Sequence, residues 1–299
     1  MSTVSREMLA AGVGCAAANG SLNSFETTKV KLQLLDASRP VYRTPTMLGV
    51  VRQVAAEDGL VRGLMAPGLS ASAARSLAYG AFRVGLYPSV RARVTDARDR
   101  EPRLRELMAA GMLTGGVGAA LSCPLDVVRT RMQGDSGTVR AGAFTTGLRT
   151  GQRVRYPNMV RAFASIARDE GWRGGLYRGA GVTVARATLL NGAQLATYDA
   201  LKRRAKRRGG WREGAALHAA CALASGVVAQ TVVMPFDVVK SHLMQGRGGW
   251  RAVRAGVRAH GPGWLFRGIP PACAGQGLIM VLQMPLIEEL RRLLGVAAI

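Results

Sequence analysis

One eight-residue pattern recurs three times along the chain, each time where a long uncharged stretch ends, and it restricts the fold to something assembled from three like units. Pro124-Leu125-Asp126-Val127-Val128-Arg129-Thr130-Arg131 returns as Pro235-Phe236-Asp237-Val238-Val239-Lys240-Ser241-His242, and a worn copy reads Ser24-Phe25-Glu26-Thr27-Thr28-Lys29-Val30-Lys31. Ser24 to Pro124 is 100 positions and Pro124 to Pro235 is 111. A second signal follows each copy: Asp58-Gly59 leads to Gly68, Glu170-Gly171 to Tyr177-Arg178-Gly179, and Gly261 to Phe266-Arg267-Gly268. Beyond it the register holds without gaps. Twelve residues past Arg75, Arg186 and Gly275 stand Tyr87, Tyr198 and Ile287; sixteen past stand Arg91, Lys202 and Arg291; seven before stand Gly68, Gly179 and Gly268. The units run over about residues 5–95, 103–205 and 212–295 and make one domain.

The uncharged stretches set the solvent. Met8–Phe25, Leu107–Leu125, Gly214–Phe236 (with one histidine) and Gly268–Ile287 carry no charged residue, and each is about as long as a helix crossing a bilayer core. Two more apolar stretches, around Ala66–Ala81 and Gly179–Tyr198, are interrupted by single arginines. Their Gly and Ala content suits close approach of helices inside a membrane. With 48% apolar and 20% charged residues, composition alone separates membrane from soluble chains poorly. The placement of charge separates them better, because it is dense between the spans, as in Lys202-Arg203-Arg204 and Lys206-Arg207-Arg208. A net charge of +23 calls for anionic partners, and this distribution points to lipid headgroups and anionic solutes rather than nucleic acid. Cys15, Cys123, Cys221 and Cys273 lie far apart and read as packing residues, and the three histidines form no cluster, so no metal site is expected. Neither a nucleotide cradle nor a nucleophile–base pair is present, so neither an enzyme nor a cofactor is expected. No charged region followed by an apolar core and cleavage site opens the chain, so no secretory signal is expected.

These signals resemble those of the mitochondrial carrier family, whose signature is Pro-x-acid-x-x-base-x-base followed by acid-Gly and aromatic-base-Gly. The resemblance covers nearly the whole chain. The second copy matches fully apart from one extra residue before Tyr177; the third departs at His242 and His260, the first at Ser24 and at Ala66-Pro67. The resemblance implies an all-α membrane protein of the mitochondrial inner membrane. Its six transmembrane helices would form three tandem pseudo-threefold repeats with short matrix-side helices, and it would work as a monomer. It implies a matrix gate in which Glu26, Asp126 and Asp237 pair with Lys29, Arg129 and Lys240 on neighbouring helices, with Gln33 and Gln133 as braces. The spacing of Asp126 and Arg129 also allows a pair within one helix. On the opposite side it implies a second gate. Tyr198, Asp199 and Lys202 form a complete set there and Glu288 and Arg291 keep both charges, whereas Tyr87-Pro88-Ser89-Val90-Arg91 lacks its acid. Three bases then face two acids, so the cytoplasm-open state is expected to gain population; Pro88 reads equally well as a helix end. Cardiolipin is implied at Arg178-Gly179 and Arg267-Gly268, through backbone amides at helix N-termini.

An asymmetric ligand needs repeat-related positions that differ, and Arg75, Arg186 and Gly275 are such a set. Both arginines lie about 10 Å past the helix-opening glycine, too deep for easy snorkelling, and an ionised group there needs water or a partner. Their planar forks suit carboxylates. Tyr79 and Arg83, one and two turns on from Arg75, with Asn191, Gln194 and Gln276, are expected to extend the polar face; the alternative for them is helix–helix hydrogen bonding. Arg75-x-x-x-Tyr79-x-x-x-Arg83-Val84-Gly85-Leu86-Tyr87 and Arg186-Ala187-x-x-x-Asn191-Gly192-Ala193-Gln194 resemble the second and fourth helices of the oxoglutarate, dicarboxylate and uncoupling-protein branch. That branch has an arginine where this chain has Gly275. The implied function is exchange of dicarboxylates or oxo acids by alternating access. An uncoupling-type proton or anion leak and a carrier-like receptor without transport are the alternatives.

Overall fold

The computed structural model describes residues 3–35, 42, 44, 46–94, 104–209, 215–246, 249–276, 278, 279 and 289. In the first repeat a leading helix is split into α1 (Thr3–Ser21) and α2 (Asn23–Gln33), followed by a short α3 (Met47–Asp58) and a returning α4 (Leu69–Val94). The second has α5 (Leu104–Gly134), a two-residue hairpin β1 (Val139–Arg140) and β2 (Ala143–Phe144), α6 (Met159–Asp169) and α7 (Ala180–Gly209). The third has α8 (Ala215–Gln245), α9 (Gly249–His260) and a returning helix described over 269–276. Glu288 and Arg291 lie outside the described residues, as does the side chain of Arg83.

The repeats match in backbone as well as in sequence. Each short helix ends at a glycine with positive φ (Gly59, Gly171, Gly261), enters a five-residue tight turn, and reaches a second such glycine (Gly68, Gly179, Gly268) that opens the returning helix. These left-handed conformations explain why the acid-Gly and base-Gly positions keep glycine. Thr46 and Asn158 cap α3 and α6 by accepting hydrogen bonds from the backbone N–H of Gly49 and Arg161. α5 and α8 each continue past an internal proline, Pro124 and Pro235. The first repeat, which lacks that proline, breaks at Leu22 instead, where Asn23 donates its amide to the carbonyls of Met65 and Pro67 at 2.7 and 3.0 Å. α4 continues through Pro88 to Val94, so this proline does not end the helix.

Among the described residues two helices are long and apolar enough to cross a membrane, Met108–Gly134 and Ala220–Gln245. Their outward faces are apolar: Leu113, Val117 and Leu121 on α5, and Leu223, Val227 and Val232 on α8, are all exposed. Polar groups gather inside instead. α1 packs along α4, α4 along α5, α5 along α7 and α7 along α8. At the end that carries α3, α6 and α9 the glycines open the contacts between repeats: Gly68 approaches Gln133, Gly179 approaches Met244, and Gly268 approaches Gln33. The last contact joins the third repeat to the first and closes the circle. Leu34, Gly134 and Gln245, equivalent ends of the three leading helices, also meet there.

The segment between α5 and α6 is longer in sequence than the corresponding segments of the other repeats, and it ties all three together. Asp58 Oδ1 accepts from the Thr138 amide at 3.0 Å and from the Thr138 and Thr146 hydroxyls at 2.5 Å each. Leu148 packs against Leu32, Leu35, Val50 and Leu64 of the first repeat. Asp135 takes Arg149 at 2.5 Å and the Gln245 amide of α8 at 2.6 Å. Burial pushes the Asp135 carboxyl up, against the pull of Arg149.

Candidate functional site

The site is a ring of charges at the level where the leading helices converge. In each motif the acid and the first base, three residues apart, stand on one helix face and turn inward. The pairs cross between helices. Lys29 of α2 reaches Asp237 of α8 at 2.5 Å, Lys240 of α8 reaches Asp126 of α5 at 2.8 Å, and Arg129 of α5 stands 3.0 Å from Glu26 of α2. Each base thus takes the acid of the preceding repeat, which closes a ring. The braces follow the same path. Gln133 donates to Asn23 at 3.1 Å, while Gln33 accepts from Ser241 at 2.7 Å and its backbone carbonyl meets His242 at 2.8 Å.

Arg75 and Arg186 are placed otherwise than a ligand site standing apart from the ring would have them. Arg75 Nε bonds Asp126 Oδ1 at 2.7 Å, and Arg186 Nε bonds Asp237 Oδ1. Both pairs span the same 51 residues, so each returning helix contributes its arginine to the acid of the next leading helix. The physical reason is depth: the arginines, counted inward from their glycines, arrive at the level of the aspartates. One polar layer therefore holds both sets of groups. It encloses a cavity of about 80 Å³ lined by Glu26, Lys29, Arg75, Asp126, Arg129, Arg186, Asp237 and Lys240. Three carboxylates face five cations in it.

The layer is not symmetric. Asp237 holds Lys29, Arg186 and the amide of Gln230 at 3.0 Å; Asp126 holds Arg75 and Lys240; Glu26 meets Arg129 alone among the described residues. The side chains of Asp126 and Asp237 are 3% and 4% exposed, that of Glu26 30%. Arg129 is itself buried, and its Nε and Nη2 make no hydrogen bond, so its contact with Glu26 is close but out of line. At the position equivalent to the arginines, Gly275 packs on Phe25.

The other expected ligand residues divide. Tyr79 lies under the Arg75 guanidinium, 5.0 Å from its ring centre, and so backs an arginine of the layer without lining the ring cavity itself. Asn191 is directed against Gly115 of α5 and donates to the Ala187 carbonyl at 2.9 Å, placing it in a helix contact rather than in the ring cavity. Gln194 and Gln276 are half-buried on their helices, outside that cavity's lining. Asn23, Gln230 and Ser241 were not singled out in the sequence; Asn23 and Gln230 carried a usable signal, being polar residues inside uncharged spans.

At the opposite end Asp199 pairs with Arg203 of its own helix at 2.6 Å. Tyr87, Tyr198 and Lys202 are half-buried there and Arg91 is exposed. Near the converged end, Arg178 stands 3.7 Å from Glu170, which also takes both nitrogens of the Arg131 fork. Arg267 and Gly268 line a cleft of about 330 Å³ with Thr46, Met47 and Pro270, at the junction of the third repeat with the first.

The sequence matches the family model of the mitochondrial carrier protein three times, over residues 1–98, 101–209 and 212–297. It is 32% identical over 232 residues to the mitochondrial uncoupling protein 4 of Arabidopsis thaliana, covering 76% of this chain and 71% of that one. To the mitochondrial citrate transporter F of Aspergillus niger it is 30% identical over 276 residues, covering 90% of this chain and 83% of that one. To the dicarboxylate carrier UCP2 of Danio rerio it is 30% identical over 295 residues, covering 94% and 90% respectively. With three matched repeats, each contributing an acid and a base to one ring, the chain belongs to the mitochondrial carrier family of transporters.

Proposed function

We propose that this protein is a six-helix carrier that exchanges small dicarboxylates or oxo acids across the mitochondrial inner membrane by alternating access, with the ring as its matrix gate. The observation that carries this reading is the sharing of Arg75 and Arg186 between the cavity and the ring acids. A guanidinium bound to an aspartate is a carboxylate site already filled, and an incoming carboxylate competes for it on equal chemical terms. When substrate takes both forks, Asp126 keeps Lys240 and Asp237 keeps Lys29 and Gln230. Removing one partner from a desolvated pair costs on the order of 3–5 kcal/mol. The substrate's own ion pairs offset that cost, so the ring is loosened only while the cavity is filled. A gate that opens with substrate bound, and not without it, is what strict exchange requires.

The surplus of cations over carboxylates in the layer favours an anion of small size. The Asp199–Arg203 pair inside α7 fits a state closed at the ring and open at the far side, where Tyr87, Arg91, Tyr198, Lys202, Glu288 and Arg291 would form the cytoplasmic gate. The cleft at Arg267 and Gly268, beside the capped start of α3, would take a cardiolipin phosphate, and Arg178 with Gly179 would offer the equivalent position in the second repeat. One chain encloses the whole polar layer, which favours a monomer.

The test is uptake by reconstituted liposomes of malate, oxoglutarate, oxaloacetate, sulfate and phosphate. Arg75→Ala and Arg186→Ala should each lower exchange of the preferred substrate by at least about 100-fold, the effect of losing a charge-assisted bidentate contact. Unchanged exchange in either variant would refute the reading. A second reading comes from the relatives named uncoupling proteins. An electrogenic current without counter-substrate would favour it over exchange.

A further inference from the structure

Each leading helix meets its own repeat's tight turn and the next leading helix at a junction of equivalent residues, and one junction differs in kind. At the second, Cys123, Leu176 and Met244 lie in one buried apolar cluster. At the third, Met234 lies beside Gly268, while Gln33 turns to Ser241. At the first, the same positions hold Asn23, Met65 and Gln133. Asn23 is fully buried; its amide donates to the carbonyls of Met65 and Pro67 at 2.7 and 3.0 Å, and its Oδ1 accepts from Gln133 of α5 at 3.1 Å. It is also the first residue after the break at Leu22, so the direction of α2 is not set by a helix continuous with α1.

We propose that Asn23 is a positioning residue of the matrix gate: through Gln133 it fixes α2 against α5 and so holds Glu26 in place for Arg129. The inference rests on the carrier reading above and adds to it a residue that does not line the ring cavity. Glu26 lies three residues past Asn23 on α2, and Arg129 lies four before Gln133 on α5, so the hydrogen bond and the ion pair join the same two helices. The ion pair by itself defines their relation poorly, since Arg129 Nε and Nη2 make no hydrogen bond. A buried amide pair contributes modestly while both partners are present, but losing one leaves the other buried and unsatisfied. Parting α2 from α5, as a matrix-open state requires, separates Asn23 from Gln133. The bonds from Asn23 to Met65 and Pro67 stay within its own repeat. The Asn23–Gln133 bond therefore stabilises the closed state alone.

The experiment uses the full chain in liposomes, with its own cysteines replaced and one reporter cysteine added. The reporter stands at Val30, in the wall of the ring cavity, or at Ala193, two turns past Arg186 on the same face of α7. Without substrate, an impermeant thiol reagent is applied from the matrix face for Val30→Cys and from the other face for Ala193→Cys. Asn23→Met should raise labelling at Val30→Cys by about tenfold, the effect of a lost hydrogen bond whose buried partner stays behind, and should not raise it at Ala193→Cys. Gln133→Met alone should give the same rise, and the double variant no more than either, because one tie is lost in all three. Unchanged labelling would show that Asn23 has no part in the gate, and a rise at both reporters would show general loosening. Additive rises in the double variant would show that Asn23 acts apart from Gln133. Each of these would overturn the proposal and leave the carrier reading standing. Exchange by the unaltered chain of the five anions named above tests that reading separately; failure to exchange any of them would overturn both.

Discussion

At the scale of single residues, the three ring acids differ in how much positive charge depends on them. Asp237 is almost fully buried and neutralises Lys29 and Arg186 together, so Asp237→Asn would strand two cations in the interior. We expect a loss of about 3–5 kcal/mol, seen as a large fall in the unfolding temperature of the purified protein in detergent. Glu26→Gln takes the carboxylate from one buried cation, Arg129, at the most exposed of the three acids, and should cost less, about 1–3 kcal/mol. Equal losses in the two variants would contradict the graded ring. The ring acids and bases were legible in the sequence because a repeated motif fixes their spacing and their helix face. The partners of Arg75 and Arg186 were not. Sequence gives a residue's depth along its own helix, but not which group of the next helix stands at that depth, so one layer read as two. Asn191 shows the same limit in rotation: a polar residue in an apolar span faces either a cavity or a neighbouring helix, and here Gly115 leaves room for the second.

At the scale of elements, the short helices and paired glycines followed from the motifs, since positive φ at Gly59, Gly171 and Gly261 demands the residue that the sequence repeats. The break at Leu22 was hidden, because it is stabilised by Asn23 reaching residues 42 and 44 positions away. Hidden too was the hairpin between α5 and α6. Its strands are two residues long and carry no periodicity, and its order comes from Asp58, Leu148 and Asp135 meeting groups of three repeats. Asp58→Ala would leave a partly buried amide and two hydroxyls without their acceptor. That should cost about 2 kcal/mol and lower the unfolding temperature by about 4 °C, with protease cleavage appearing first within residues 137–157. Cleavage spread evenly over the chain would show that the hairpin is not docked through Asp58.

At the scale of the whole molecule, three like units enclose a polar layer that none could shield alone, with apolar residues of α5 and α8 turned outward. The repeat builds the ring, and departures from the repeat (Glu26 for aspartate, Gly275 for arginine, Gln230 in one copy only) give it direction and selectivity. The central claim is that substrate and ring compete for the same two guanidinium groups. Its most direct test places a single cysteine at Val30, in the wall of the ring cavity, in a chain whose own four cysteines are replaced, and measures labelling by an impermeant thiol reagent from the matrix face. Adding the transported anion should raise the labelling rate severalfold, and the rise should vanish in Arg75→Ala/Arg186→Ala. A rise that persists without both arginines would contradict the account.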